Sequence, residues 1–190
     1  MHGKGGIASN LKKIELQANH IMKHAIEYVD DSFYFVAPQT TKSFKENGGW
    51  RLDELNHFLS ELKTKYKIDS NRVYLIGNSM GAMGAWIWAA SNPEHFAAIA
   101  PISGGIKAKN KKHLPDNYST ALASTPIWAM AGGRDKVVPE KLSSDMIRTL
   151  AEAGNTQARF TLFPDAKHNV RTQILASPDI YNWLFSQSNK

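Results

Sequence analysis

The sequence contains no cysteine, which excludes disulfide bonds, a thiolate nucleophile and cysteine-based metal sites. It also lacks any apolar run approaching the ~18 residues that a membrane-spanning helix needs, so we expect no membrane span. Hydrophobic residues make up 42% of the 190 positions, and this share excludes a disordered chain and a collagen-like repeat. A chain of this length is expected to form one domain over residues 1–190.

Basic residues outnumber acidic residues by 23 to 17, which gives a net charge of +6. Part of the excess lies in a run at 107–113, a pattern that would suit nucleic acid or an anionic surface. No zinc-finger spacing or aromatic-basic pattern accompanies it, so we interpret the run as a solvated loop and expect no nucleic-acid partner. The N-terminus carries no apolar signal region, which predicts a cytoplasmic protein; removal of an upstream segment would instead allow a secreted or periplasmic one.

Strand-like and helix-like segments alternate along the chain, which predicts an α/β fold with a mostly parallel sheet flanked by helices. Five apolar runs lack strict polar alternation and are typical of strands buried on both faces; they lie at 33–37, 73–77, 97–100, 127–130 and 160–163. Apolar spacing and end signals predict helices at 11–28, 52–62, 81–90, 139–153 and 178–185. Residues 104–125 show no clear periodicity and are predicted to form a surface excursion.

The sequence Gly77-Asn78-Ser79-Met80-Gly81 stands between a predicted buried strand and an apolar helix. A serine nucleophile projects from a sharp turn of this kind, and glycines on either side let the strand and helix approach closely. The backbone N–H of Met80 would then face the developing oxyanion. The alternative is a tight turn in which Ser79 only caps the helix.

His168 differs from the other six histidines because it follows the last predicted strand, at the sheet edge where ligands bind in open α/β sheets. We therefore predict that His168 is the base that a neutral serine needs. Asp135 also follows a predicted strand and would orient the imidazole, and the order Ser79, Asp135, His168 is that of α/β-hydrolases. Asp165 is the rival carboxylate, three residues before His168.

The N-terminal sequence His2-Gly3-Lys4-Gly5 resembles the His-Gly-x-Gly loop that follows the third strand of α/β-hydrolases. On that resemblance the backbone N–H of Lys4 is the second oxyanion donor beside Met80. One such donor can be worth about 3–4 kcal/mol of transition-state stabilisation. The alternative is a glycine-rich tail without this role.

The whole chain resembles the phospholipase/carboxylesterase and polyhydroxybutyrate-depolymerase-like esterase group of α/β-hydrolases. The resemblance implies hydrolysis of carboxylic esters by a serine triad, without a metal or an organic cofactor. It also implies an α/β-hydrolase fold that is shortened at its N-terminus, with about five strands. The matching stretches lie at 36–39, 49–50, 71–81, 93–98, 101–105, 126–128 and 181–185.

Two departures from the family pattern bear on the site. Arg171 stands where relatives often carry tryptophan, three residues after the histidine, and would favour an anionic or polar substrate. Only Met1 precedes the His-Gly loop, where the family has a strand between 33–37 and 73–77. The sequence leaves three resolutions open: a truncated sequence, a shift of 33–37 to pair with 73–77, or a second chain at the exposed edge, which would make a homodimer.

The leading functional hypothesis is a serine carboxylesterase acting on short-chain or soluble esters, because the excursion at 104–125 is too short for a large lid. Gln39, Trp50 and Trp86 are candidate lining residues, although such tryptophans more often belong to the core. The alternative hypothesis is a binding module without a working oxyanion hole. A third interpretation keeps the triad but changes the bond to a thioester, peptide or lactone, since the acyl-transfer machinery is shared.

Overall fold

A parallel sheet lies at the centre of the computed structural model, which describes residues 1–41, 49–106 and 113–189. Residues 107–112 of the basic run lie outside the described residues. The four strands pair in chain order, so the carboxyl ends of all of them meet at one edge. They are β1 Tyr74–Asn78, β2 Ala98–Ile102, β3 Ile127–Gly132 and β4 Ala158–Phe163.

Helices cover both faces of this sheet, and those predicted from apolar spacing are all present. In chain order the α-helices are α1 Lys12–Tyr28, α2 Leu52–Lys65, α3 Met80–Ser91, α4 Tyr118–Ala121, α5 Lys141–Glu152, α6 Arg171–Leu175 and α7 Pro178–Phe185. Single 3₁₀ turns form at Lys4–Gly6 and Pro93–His95. None of the helices in the described ranges is long and apolar enough to cross a bilayer.

The core is divided by the sheet into two apolar clusters. One cluster packs α2, α3 and α5 together, and α3 is its centre, with Trp86 completely buried. The other packs α1, α6 and α7 against the opposite sheet face, through residues such as Ile174 and Leu184. A helix that is apolar on all sides, such as α3, must be buried, and the turn that carries Ser79 stands directly before it.

The prediction of a strand at 33–37 is wrong, and the described residues form four strands instead of about five. This segment does not pair with β1. The free edge of β1 is instead bonded to Met1, whose amino group donates to the Ile76 carbonyl and whose carbonyl accepts from the Asn78 N–H at 3.1 Å. A cavity of about 380 Å³ lies between 33–38 and β1.

The excursion at 104–125 is less superficial than its polarity predicts. Among its described residues, Leu122 is completely buried and Ile106 and Leu114 also belong to the core cluster around α3. The short helix α4 lies within this segment, which returns to the core there. The apolar residues of this segment are not spaced regularly, so the sequence pattern did not predict that they are buried.

Candidate active site

Ser79 occupies the turn between β1 and α3 with φ of 56° and ψ of −114°, a backbone conformation that non-glycine residues rarely adopt. The turn is tight enough to require its glycines. A Cβ on Gly77 would lie 2.3 Å from the Gly81 carbonyl oxygen, and one on Gly81 would lie 2.2 Å from the Met1 carbonyl oxygen. The Ser79 N–H donates to the Ile102 carbonyl at 2.8 Å, which fixes the turn to the end of β2.

The structure brings Ser79, His168 and Asp135 together at the carboxyl edge of the sheet. His168 Nε2 lies 2.9 Å from Ser79 Oγ, and His168 Nδ1 lies 2.7 Å from Asp135 Oδ2. Asp135 Oδ1 accepts the N–H groups of Val137 and Val138 at 2.8 and 2.9 Å, so the carboxylate is fixed in the turn after β3. The Asp135 side chain is completely buried, whereas that of His168 is 28% exposed.

The rival carboxylate, Asp165, lies elsewhere. It forms a 2.7 Å ion pair with Arg134, and its side chain is 85% exposed. Of the two candidates, Asp135 is therefore the one that contacts the imidazole. The arrangement suits proton transfer from a serine hydroxyl to a histidine that a buried carboxylate orients.

The N-terminal loop lies beside Ser79. A Cβ on Gly3 would lie 3.4 Å from Ser79 Cβ and 3.1 Å from Asn78 Nδ2. Lys4 begins the 3₁₀ turn that follows, and Met80 is the first residue of α3, where N–H groups have no intrahelical acceptor. The two residues predicted to donate to an oxyanion thus lie on segments that adjoin Ser79.

The buried His2 holds this loop in place. Its Nδ1 donates to the Gly3 carbonyl at 2.7 Å, and its Nε2 accepts the Thr40 N–H at 3.1 Å, an arrangement that requires the neutral ring. Burial lowers the pKa of His2, and the Gly3 carbonyl opposes part of that shift. The ring also packs on Trp50 with centroids 4.8 Å apart.

The side chains that were predicted to line the site form contacts with other residues of the protein. Gln39 Nε2 donates to the Gly6 carbonyl at 2.8 Å, so Gln39 supports the N-terminal loop. Trp50 is only 3% exposed, and a Cβ on Gly84 of α3 would lie 2.5 Å from its ring. Trp86 donates through Nε1 to the Gly104 carbonyl at 2.9 Å. The two tryptophan positions favour the core alternative.

Arg171 lies at the start of α6, close in sequence to His168. Its Nη1 donates to Gln17 Oε1 at 3.0 Å and its Nε to Asn169 Oδ1 at 3.3 Å. Burial lowers the pKa of Arg171, but an arginine keeps its charge. Within the described part of the chain, no three histidine or acidic side chains are grouped so that they could hold a metal ion.

Ser103, the residue directly after β2, was not predicted from the sequence. Its hydroxyl donates to the backbone carbonyl of His168 at 3.2 Å, and its φ is 50°. A single serine in a run of small residues carries no pattern that predicts either property. The nearest signal was the position of 101–105 at the end of a buried strand.

The sequence model of the dienelactone hydrolase family matches residues 36–174. Putative carboxymethylenebutenolidases from Salmonella typhimurium and Escherichia coli K12 are 31% and 32% identical over 103 and 102 residues. Each match covers 53% of this chain, but the matched part spans only 37% of the relative's length. Among solved structures, an esterase from Pyrococcus furiosus is 19% identical with a TM-score of 0.68, over 100% of this chain and 82% of that one. The likeness confirms the predicted α/β-hydrolase fold, here with a shortened sheet.

Proposed function

The chain belongs to the dienelactone hydrolase family, and we propose that it hydrolyses carboxylic esters through a covalent intermediate on Ser79. The observation that carries the proposal is the contact of His168 with Ser79 Oγ at 2.9 Å and with Asp135 at 2.7 Å. The three side chains come from different loops, and a structural role alone would not require them to meet.

In the first half of the reaction, Ser79 Oγ attacks the ester carbonyl carbon while its proton passes to His168 Nε2. The carbon–oxygen bond to the alcohol then breaks, and His168 returns the proton to the departing alkoxide. The product of this half is an acyl-serine. In the second half, water gives a proton to His168 and attacks the acyl carbon, and the carboxylic acid leaves as Ser79 recovers its hydrogen.

Asp135 serves this cycle by orienting the ring and by stabilising the imidazolium that forms in each half. Its carboxylate is completely buried and accepts two backbone N–H groups besides the His168 Nδ1–H. These contacts hold the carboxylate so that one of its oxygens faces the imidazole. Asp135 therefore keeps the proton of His168 on Nδ1 and leaves Nε2 free to accept from Ser79.

The negative oxygen of each tetrahedral intermediate would be held by the N–H groups of Met80 and Lys4. The Met80 N–H belongs to the first turn of the 12-residue helix α3, whose dipole favours negative charge at that end. The loop that carries Lys4 is held against Ser79 by His2, Gln39 and Met1. These contacts favour a working oxyanion hole over the inactive binding module.

For the substrate we propose short-chain or soluble esters, since the excursion at 104–125 is too short for a large lid and its described residues Ile106, Leu114 and Leu122 pack into the core. Lactones are the second class to test, because the matching family is named for a lactone hydrolase.

The test compares the wild-type protein with Ser79→Ala and with Ser60→Ala, a control at an exposed serine of α2. We expect the wild type and the control to hydrolyse short p-nitrophenyl esters and a simple lactone, and to be labelled by a fluorophosphonate probe. Ser79→Ala should lose both properties, with a residual rate at least about 10³-fold lower. A folded wild-type protein that is not labelled would support the binding module instead.

A further inference from the structure

Ser103 is a buried residue in a conformation that favours glycine. Its φ is 50°, its exposed fraction is 0%, and it stands directly before Gly104 and Gly105. A non-glycine residue in this region is strained, because its Cβ crowds the backbone. A serine side chain in this conformation indicates a contact that glycine could not make.

The hydroxyl of Ser103 makes such a contact, because it donates to the His168 backbone carbonyl at 3.2 Å. The Ser103 N–H donates to the Met130 carbonyl at 2.8 Å, which fixes the residue between β2 and β3. The preceding residue, Ile102, accepts the N–H of Ser79 at 2.8 Å. Two consecutive residues at the end of β2 therefore bind the backbone of Ser79 and the backbone of His168.

The loop that carries His168 depends on this bond. Its other backbone hydrogen bonds lie on neighbouring residues: Arg134 donates to the Ala166 carbonyl and Val170 to the Lys167 carbonyl. In the described ranges, the Ser103 hydroxyl is the only group that hydrogen-bonds the backbone of His168. Its loss would leave the base oriented by Asp135 but free to shift relative to Ser79.

We infer that Ser103 is a positioning residue for ester hydrolysis, which sets the distance between His168 and Ser79 by holding the His168 carbonyl at the end of β2. The inference rests on the proposed function. A displacement of about 1 Å at a reacting pair can lower a rate by about 100-fold. The effect falls on kcat, because Ser103 is covered by protein and does not touch the substrate.

Two variants distinguish the effect of the Ser103 hydroxyl from the effect of its backbone conformation. Ser103→Gly removes the hydroxyl and suits the left-handed conformation, whereas Ser103→Ala removes the hydroxyl and keeps the Cβ. Both should lower kcat for p-nitrophenyl acetate by about 10-fold to 100-fold, with KM changed by less than about twofold. The rate of fluorophosphonate labelling at Ser79 should fall in parallel.

Ser143→Ala is the matched control, since Ser143 is 1% exposed and its hydroxyl has no hydrogen-bond partner among the residues that the structure describes. It makes the same chemical change in a buried serine and should leave kcat and the labelling rate unchanged. A purely structural role of Ser103 would lower the melting temperature while leaving the rate per folded site intact.

The NMR titration of the His168 ring gives a readout that does not depend on turnover. We expect the ring resonances and their titration midpoint to move in Ser103→Gly and to stay in Ser143→Ala. If the wild type neither hydrolyses esters nor reacts with the probe, the proposed function fails while this measurement still tests the link. A folded Ser103→Gly protein with wild-type kcat and an unchanged His168 titration would overturn the inference.

Discussion

The imidazole of His2 accepts a hydrogen bond from the Thr40 N–H at 3.1 Å, and this bond joins the N-terminal loop to the segment that follows residues 33–37. The bond exists only while His2 Nε2 carries no proton. The ring is 4% exposed and packs on Trp50, so it has little access to water that could solvate a charge. The geometry of the N-terminal loop is thereby coupled to pH.

We predict that His2 makes the protein less stable in acid. Burial lowers its pKa from the ordinary value of 6.5, so below about pH 6.5 the unfolded chain binds the proton more readily than the folded one. Stability should fall as pH drops through this range. The measurement is urea unfolding from pH 8 to 5 for the wild type and His2→Gln. Their difference should depend on pH, whereas His57→Gln, at an exposed ring, should parallel the wild type.

The Met1 amino group should contribute in the same direction in a chain that begins at this residue. Burial lowers its pKa from 8.0 to about 5, so unfolding takes up a proton between these values. Stability should fall by up to roughly 1.4 kcal/mol for each pH unit as pH drops from 8 towards 5. N-terminal acetylation keeps an N–H for the Ile76 carbonyl and removes the charge, so the acetylated protein should lack this slope. Parallel curves for the two forms would contradict the prediction.

Asp135→Asn should lower kcat by about 10³-fold to 10⁴-fold and leave the fold intact. An amide in this place no longer holds the proton of His168 on Nδ1, and the ring presents the wrong nitrogen to Ser79. Asp165→Asn is the control, because Asp165 pairs with Arg134 at the surface and should keep nearly full activity. The reverse result would make Asp165 the partner of the histidine.

Local patterns predicted the parts of the molecule that depend on local chemistry. The two glycines around Ser79 follow from the close approach of β1 and α3, and the apolar stripe with Leu55 and Leu59 follows from one buried face of α2. The positions of His168 and Asp135 after predicted strands were enough to place them at one edge of the sheet. The distances between them needed the structure.

The features that the sequence did not predict depend on contacts between residues far apart in the chain. Residues 33–37 have the composition of a strand, but they form none, and Met1 bonds the edge of β1 where they would have paired. The link from Ser103 to His168 joins residues 65 apart, and a left-handed serine has no sequence pattern. The hydrogen bond from the Gln39 amide to the Gly6 carbonyl joins residues 33 apart, and no local pattern predicts such a contact.

Gly81→Ala tests whether the first residues of the chain are packed onto the turn that carries Ser79. The new Cβ would lie 2.2 Å from the Met1 carbonyl oxygen, which is backbone and cannot rotate away. We expect the free energy of unfolding to fall by about 1–3 kcal/mol, and ester hydrolysis to fall as the loop with Lys4 is displaced. Gly5→Ala is the control for stability, because a Cβ there meets nothing within 4 Å and should change the free energy of unfolding by less than about 0.5 kcal/mol. Equal losses for both variants in urea unfolding would contradict the prediction, because a Cβ at Gly5 makes no contact comparable to that with Met1.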